Sequence, residues 1–181
     1  MAINFLSNLV IILILEIVQV SFLTTWPFPI NSLNLILSAI IFVTVIFNYQ
    51  RGLWWAFGGG VIWELYSGMP FGISSLTFII VAVIINFLFN NFFTNRSLYS
   101  LLILGYLGTV VYSLIVFLVS FVFLTLNLGN YFAELRFWPN FFWQPLLNLL
   151  ILTIIFFAFH NSTSRLRNIF LSAENLYEIK K

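Results

Sequence analysis

The chain reads as an all-α membrane protein: a six-helix transmembrane bundle over residues 1–161, followed by a cytoplasmic amphipathic tail over 162–181. Three observations point there. Of 181 residues, 62% are hydrophobic and only 7% charged, and the mean hydropathy is +1.08, far too apolar for a water-facing domain with a single core. The apolar residues fall into six runs near the roughly 20 residues that a bilayer requires. Between the runs stand proline, glycine, asparagine and arginine, the residues that end helices or mark membrane boundaries.

The first span covers 3–24. No Lys or Arg precedes it, no Ala-x-Ala-like cleavage site follows, and Glu16 interrupts what would be a signal-peptide core, so it reads as retained. Trp26-Pro27-Phe28-Pro29 closes it. Spans two and three, 33–49 and 52–68, are separated by Tyr49-Gln50-Arg51 and are short; the alternative is one hairpin that dips in and out of the membrane. Gly68-Met69-Pro70 makes a tight corner into the fourth span, 72–93. Thr94-Asn95-Arg96 leads to the fifth, 99–126, which is long enough that it must tilt or protrude. Asn127 through Asn140 form the last loop, and the sixth span covers 141–160.

Six spans bring both termini to one side. Arg51, Arg96, Arg165, Arg167, Lys180 and Lys181 share that side and only Arg136 lies opposite, which makes the shared side cytoplasmic by the positive-inside bias. Trp26, Trp63, Tyr66, Trp138 and Trp143 then fall near the outer interface, and Tyr49, Trp54, Trp55 and Tyr99 near the inner one. Beyond the sixth span, Leu166, Ile169, Phe170, Ala173, Leu176 and Tyr177 recur at steps of three and four. Ser162 or Ser164 is placed to cap this helix, and Lys180 and Lys181 suit its C-terminal dipole. It either lies on the inner membrane surface or docks to a cytoplasmic partner.

Composition removes several function classes. The chain has no Cys and no Asp, and one His, His160, at the cytoplasmic end of the last span. No metal triad or Ser-His-acid set can be assembled from these, and no cofactor motif is present, so an enzyme is not expected. Gly58-Gly59-Gly60 lies within an apolar run and lacks the Gly-Lys-Ser/Thr ending of a phosphate loop. A net charge of +2, scattered along the chain, excludes nucleic acid.

The polar residues inside the spans carry the functional signal. In the third span Ala56, Gly60, Glu64 and Gly68 stand four apart and form one helical stripe, widened by Gly58 and Gly59. Small residues let another helix approach closely, so Glu64 faces protein rather than lipid, about one turn below the Gly68-Met69-Pro70 corner. Its alternatives are interhelical packing, recognition of a partner or ligand near the corner, and a proton or ion relay. Glu16 and Gln19 share a face of the first span, fit interhelical packing, and are candidates for the same polar patch. Gly105, Gly108, Thr109 and Tyr112 suit a close contact on the fifth span. Glu134 and Arg136 read as a surface pair in the outer loop.

The segment Gly60-x-x-x-Glu64-x-x-Ser67-Gly68-x-Pro70-x-Gly72 resembles the signature of the bacterial rod shape-determining MreD family, in which a glycine-rich span runs into an acidic residue and a Pro-x-Gly corner. Chain length, six spans, Asn34 at the second span, Arg96 after the fourth and Gly108-Thr109-x-x-Tyr112 in the fifth resemble that family too. The family usually has Asp at the Glu64 position and often Pro-Asp where this chain has Leu33-Asn34. The resemblance implies a fold similar to the membrane subunits of energy-coupling-factor transporters. It further implies a non-enzymatic subunit of the elongation machinery in the bacterial inner membrane. The implied partners are an MreC-like single-span protein, MreB, RodA, a class B penicillin-binding transpeptidase and membrane lipid. Glu64, Gly68, Pro70 and Gly72 are then expected to shape a cleft or partner surface. The rival reading is a substrate-binding subunit of an energy-coupling-factor vitamin transporter. Such subunits often carry Ala-x-x-x-Ala rows on the first span, where this chain has Leu9-Val10-Ile11-Ile12-Leu13-Ile14-Leu15.

Overall fold

The first helix, α1 (Ala2–Val18), widens into a π-helical turn over Gln19–Leu23. In the computed structural model, residues 2–67, 70–93, 96–126 and 137–178 are described, with side chains given between 7 and 161 apart from 124, 137 and 138. Among the described residues every regular element is helical. A short 3-10 turn, Ile30–Ser32, follows the Trp26–Pro29 corner and leads into α2 (Leu35–Phe42). Asn34 starts α2 as an N-cap: its Oδ1 accepts from the Leu37 amide at 2.9 Å, satisfying one of the orphan donors of the first turn.

Helix α2 ends in a second π-helical turn, Val43–Phe47, and Asn48 alone is extended before α3 (Tyr49–Ser67) begins. The break thus falls at Asn48 and not at Tyr49-Gln50-Arg51, which form the first turn of α3. Spans two and three are two separate helices packed on each other. Then come α4 (Ile73–Phe92), α5 (Leu98–Thr125) and α6 (Phe137–Glu178). By length and composition Ile73–Phe92, Leu98–Phe123 and Pro139–Asn161 suffice to cross a membrane, while Ser7–Leu23 and Leu35–Phe47 are shorter apolar helices. Arg51, Glu64 and the run Gly58-Gly59-Gly60 lower the hydropathy of α3.

Helix α2 is the axis of the bundle. Ile36 through Phe42 are all buried, and α1, α3, α4, α5 and α6 each pack against it, as an all-round apolar helix in a protein core requires. Phe78, Val81 and Ile85 of α4, Leu101 and Leu104 of α5 and Leu152 of α6 complete the core. Glycines on α5 set the close approaches there. A Cβ on Gly108 would stand 2.9 Å from the Cδ1 atoms of both Ile41 and Ile85, and one on Gly105 would collide with Leu152.

Two expectations about α6 change. It starts at Phe137, so Phe137–Asn140 belong to helix and not to the preceding loop. Its backbone continues unbroken to Glu178, so no new helix starts at Ser162 or Ser164. The side chains of the tail, with Arg165, Arg167, Lys180 and Lys181, lie outside the described residues, as do Glu134 and Arg136.

Candidate functional site

The polar residues of the interior form a seam in three parts. The first joins α3 to α4. Gly72 adopts a left-handed backbone, φ +97°, as the N-cap of α4, with its carbonyl accepting from Leu76 at 2.9 Å; glycine holds such a φ without the strain a Cβ brings. Ser75 is then the third residue of α4, and its amide is one of the donors that a helix start leaves without a partner. Glu64, 3% exposed, supplies the acceptor. Its Oε1 takes the Ser75 amide at 2.9 Å and the Ser75 hydroxyl at 3.2 Å. An acidic side chain at the positive end of the α4 dipole is favoured on electrostatic grounds as well.

Gly60, one turn before Glu64, makes that reach possible. A Cβ there would collide with the Ser75 Cα and stand 2.8 Å from its nitrogen, so only glycine lets the helices come this close. Ala56, Gly60 and Glu64 are all buried, and Gly60 and Glu64 both meet the start of α4. Gly68, the next position of the stripe, lies outside the described residues. Pro70 is part-buried, and Phe71 beside it is 74% exposed at the turn into α4.

The second part ties α1, α2, α5 and α6 together. Gln19 bridges the entry to α2: its Nε2 donates to the Leu33 carbonyl and its Oε1 accepts from the Leu35 amide, both at 2.8 Å. The intervening Asn34 amide donates to Asn148 Oδ1 at 3.0 Å, and Asn148 Nδ2 donates to Thr109 Oγ1 at 3.3 Å. Further along, the Ser113 hydroxyl donates to Gln144 Oε1 at 3.4 Å. Tyr112 faces the Asn34 side chain and stacks on Phe78 with ring centroids 5.6 Å apart. These buried amides and hydroxyls satisfy one another, as groups denied water must.

The third part is Glu16. It is fully buried, and neither carboxyl oxygen has a hydrogen-bond partner among the described residues. It lies against the small-residue face of α3, where a Cβ on Gly59 would stand 3.9 Å from Oε1. Glu16 near the end of α1 and Gln19 at the start of the π-helical turn therefore meet different surroundings: Gln19 the α1–α2 connection, Glu16 the Gly59 face. His160 stands apart from the seam, about three turns beyond Asn148 on α6 and stacked on Phe156. Among the described residues no three metal-ligating side chains gather.

A polar seam of this kind holds helices in register, and the chain's family gives it context. The model of a family described as rod shape-determining protein MreD matches residues 3–163. The chain belongs to the MreD family. No curated protein and no solved structure matches it. MreD proteins are shape-determining membrane proteins, and this membership does not favour the transporter reading. The matched residues include the whole Glu64–Ser75 junction and the Gln19–Asn34–Asn148–Thr109 network. Of that MreD-family seam, sequence reasoning did not single out Ser75, Asn148, Ser113 or Gln144. Their signals were present: Ser74-Ser75 just after a Gly72 that starts a helix, and two amides, Gln144 and Asn148, four apart within an apolar span.

Proposed function

We propose that this MreD-family chain is a non-enzymatic subunit of the bacterial cell-elongation complex, set in the inner membrane with both termini in the cytoplasm. In this role it anchors an MreC-like single-span protein. Directly or through that partner, it couples MreB filaments to RodA and a class B penicillin-binding transpeptidase, and so regulates cell shape and peptidoglycan synthesis. The observation that carries the reading, beside the family match, is the Glu64–Ser75 clamp. It fixes the α3–α4 corner from inside the bundle while Leu65, Tyr66 and Phe71 stay exposed around it. A clamped α3–α4 contact flanked by outward aromatic groups suits a partner surface, because less ordering is left to oppose binding.

The test is co-purification from membranes of a rod-shaped host. The chain is expected to retain the MreC-like protein, and Glu64→Ala and Pro70→Ala to reduce that retention and to round the cells. Normal morphology after deletion of the gene removes the proposal.

A further inference from the structure

At the end of the bundle away from the Glu64 corner, two guanidinium groups converge on one turn. Arg96, just ahead of α5, donates from Nη1 to the Ile46 carbonyl at 2.7 Å. Arg51, in the first turn of α3, lies 5.8 Å from the centroid of the adjacent Phe47 ring. Ile46 and Phe47 close α2, so the Arg96 contact covers a carbonyl at the negative end of a helix and fixes where its guanidinium stands. Both arginines are exposed. Among the described residues neither pairs with a carboxylate, since Glu16 lies against α3 at Gly59 and Glu64 is held by Ser75.

Two like charges held at one turn, with no acidic partner among the described residues, repel, and an anion placed between them turns that repulsion into attraction. Guanidinium groups favour phosphate, which they bind through paired N–H donors. The surroundings select the form of the phosphate. On α3, Trp54 and Phe57 follow Arg51 at steps of three, and both are more than half exposed, Trp54 at 63%. The two cations therefore stand at the head of an apolar stripe, the order in which a phospholipid presents headgroup and acyl chain. We propose that Arg51 and Arg96 form a binding site for the phosphate of an anionic glycerophospholipid.

Native mass spectrometry of the full chain in detergent, supplied with phosphatidylglycerol or phosphatidylcholine, tests this. The chain is expected to retain phosphatidylglycerol preferentially. Arg51→Gln, which leaves the Arg96–Ile46 bond in place, should weaken retention about five-fold, and Arg51→Gln with Arg96→Gln about 25-fold. Arg167→Gln, which removes one charge from the 162–181 tail, should leave retention unchanged. Unchanged retention in Arg51→Gln and in the helical double variant overturns the site, and so does an equal loss in Arg167→Gln. Inorganic phosphate is the second probe: if it binds as tightly as the lipid and displaces it, the lipid assignment falls.

Discussion

Glu64 closes the start of a neighbouring helix: its Oε1 accepts both the amide and the hydroxyl of Ser75, eleven residues further along the chain. A helix start is usually capped by the residue just before it. Here Gly72 occupies that place, with no side chain to offer, and the preceding helix provides the acceptor.

Replacing Glu64 therefore exposes the Ser75 amide to an apolar interior. Glu64→Ala is expected to lower stability by about 2 kcal/mol, and Glu64→Gln, which keeps one carbonyl acceptor, by less. Thermal unfolding in detergent gives the order. Equal losses would mean that the bonds to Ser75 contribute nothing to stability.

The glycines of α3 should respond unequally to the same change. At Gly58 a Cβ meets only the Ile12 Cδ1 at 3.6 Å, so Gly58→Ala should be neutral or stabilising by up to about 1 kcal/mol through helix propensity. Gly60→Ala forces α3 away from the Ser75 backbone, at a cost of about 1–3 kcal/mol. The difference in melting temperature between the two variants is the measurement.

Glu16 and Gln19 should separate in the same assay. Gln19→Ala abandons the Leu33 carbonyl and the Leu35 amide and should cost about 1–3 kcal/mol. Glu16→Gln removes an acid with no partner among the described residues, so it should leave stability unchanged or raise it. A drop matching that of Gln19→Ala would reveal a contact to Glu16 from outside those residues.

Thr109 and Asn148 form one unit, which a double-mutant cycle measures. Asn148→Leu and Thr109→Val should together cost less than the sum of the single changes, with a coupling of about 0.5–2 kcal/mol, because either one alone breaks the bond between them. Strict additivity would show that this bond adds nothing to stability.

The helices were legible wherever local chemistry marks an end: Trp26–Pro29, the corner before Gly72, and the polar residues around Arg96. The four-residue spacing of Ala56, Gly60 and Glu64 put them on one face, because helical period is a local property. Their neighbour was not readable, since nothing local tells which helix a stripe will meet. The central place of α2 was hidden for a related reason. Its residues are apolar on every side, and in a membrane sequence the same pattern serves for contact with lipid or with protein. Asn148, polar within an apolar run, was passed over; its partner, the amide of Asn34, lies 114 residues away, and backbone donors carry no signature in a sequence. The uninterrupted α6 was missed because Ser162 and Ser164 cap helices well but sit inside one at small cost.

The Asn34–Asn148 bond also carries a consequence for biogenesis. Glu64 and Ser75 meet as soon as two consecutive helices are made, whereas Asn34 must wait through the synthesis of α3, α4 and α5 before Asn148 leaves the ribosome. Until then the Asn34 amide lacks its final partner, and α2 lacks the wall that α6 provides. A chain that stops before residue 148 therefore leaves α2 open on the side that α6 covers, and only the arrival of the last helix closes the bundle around it.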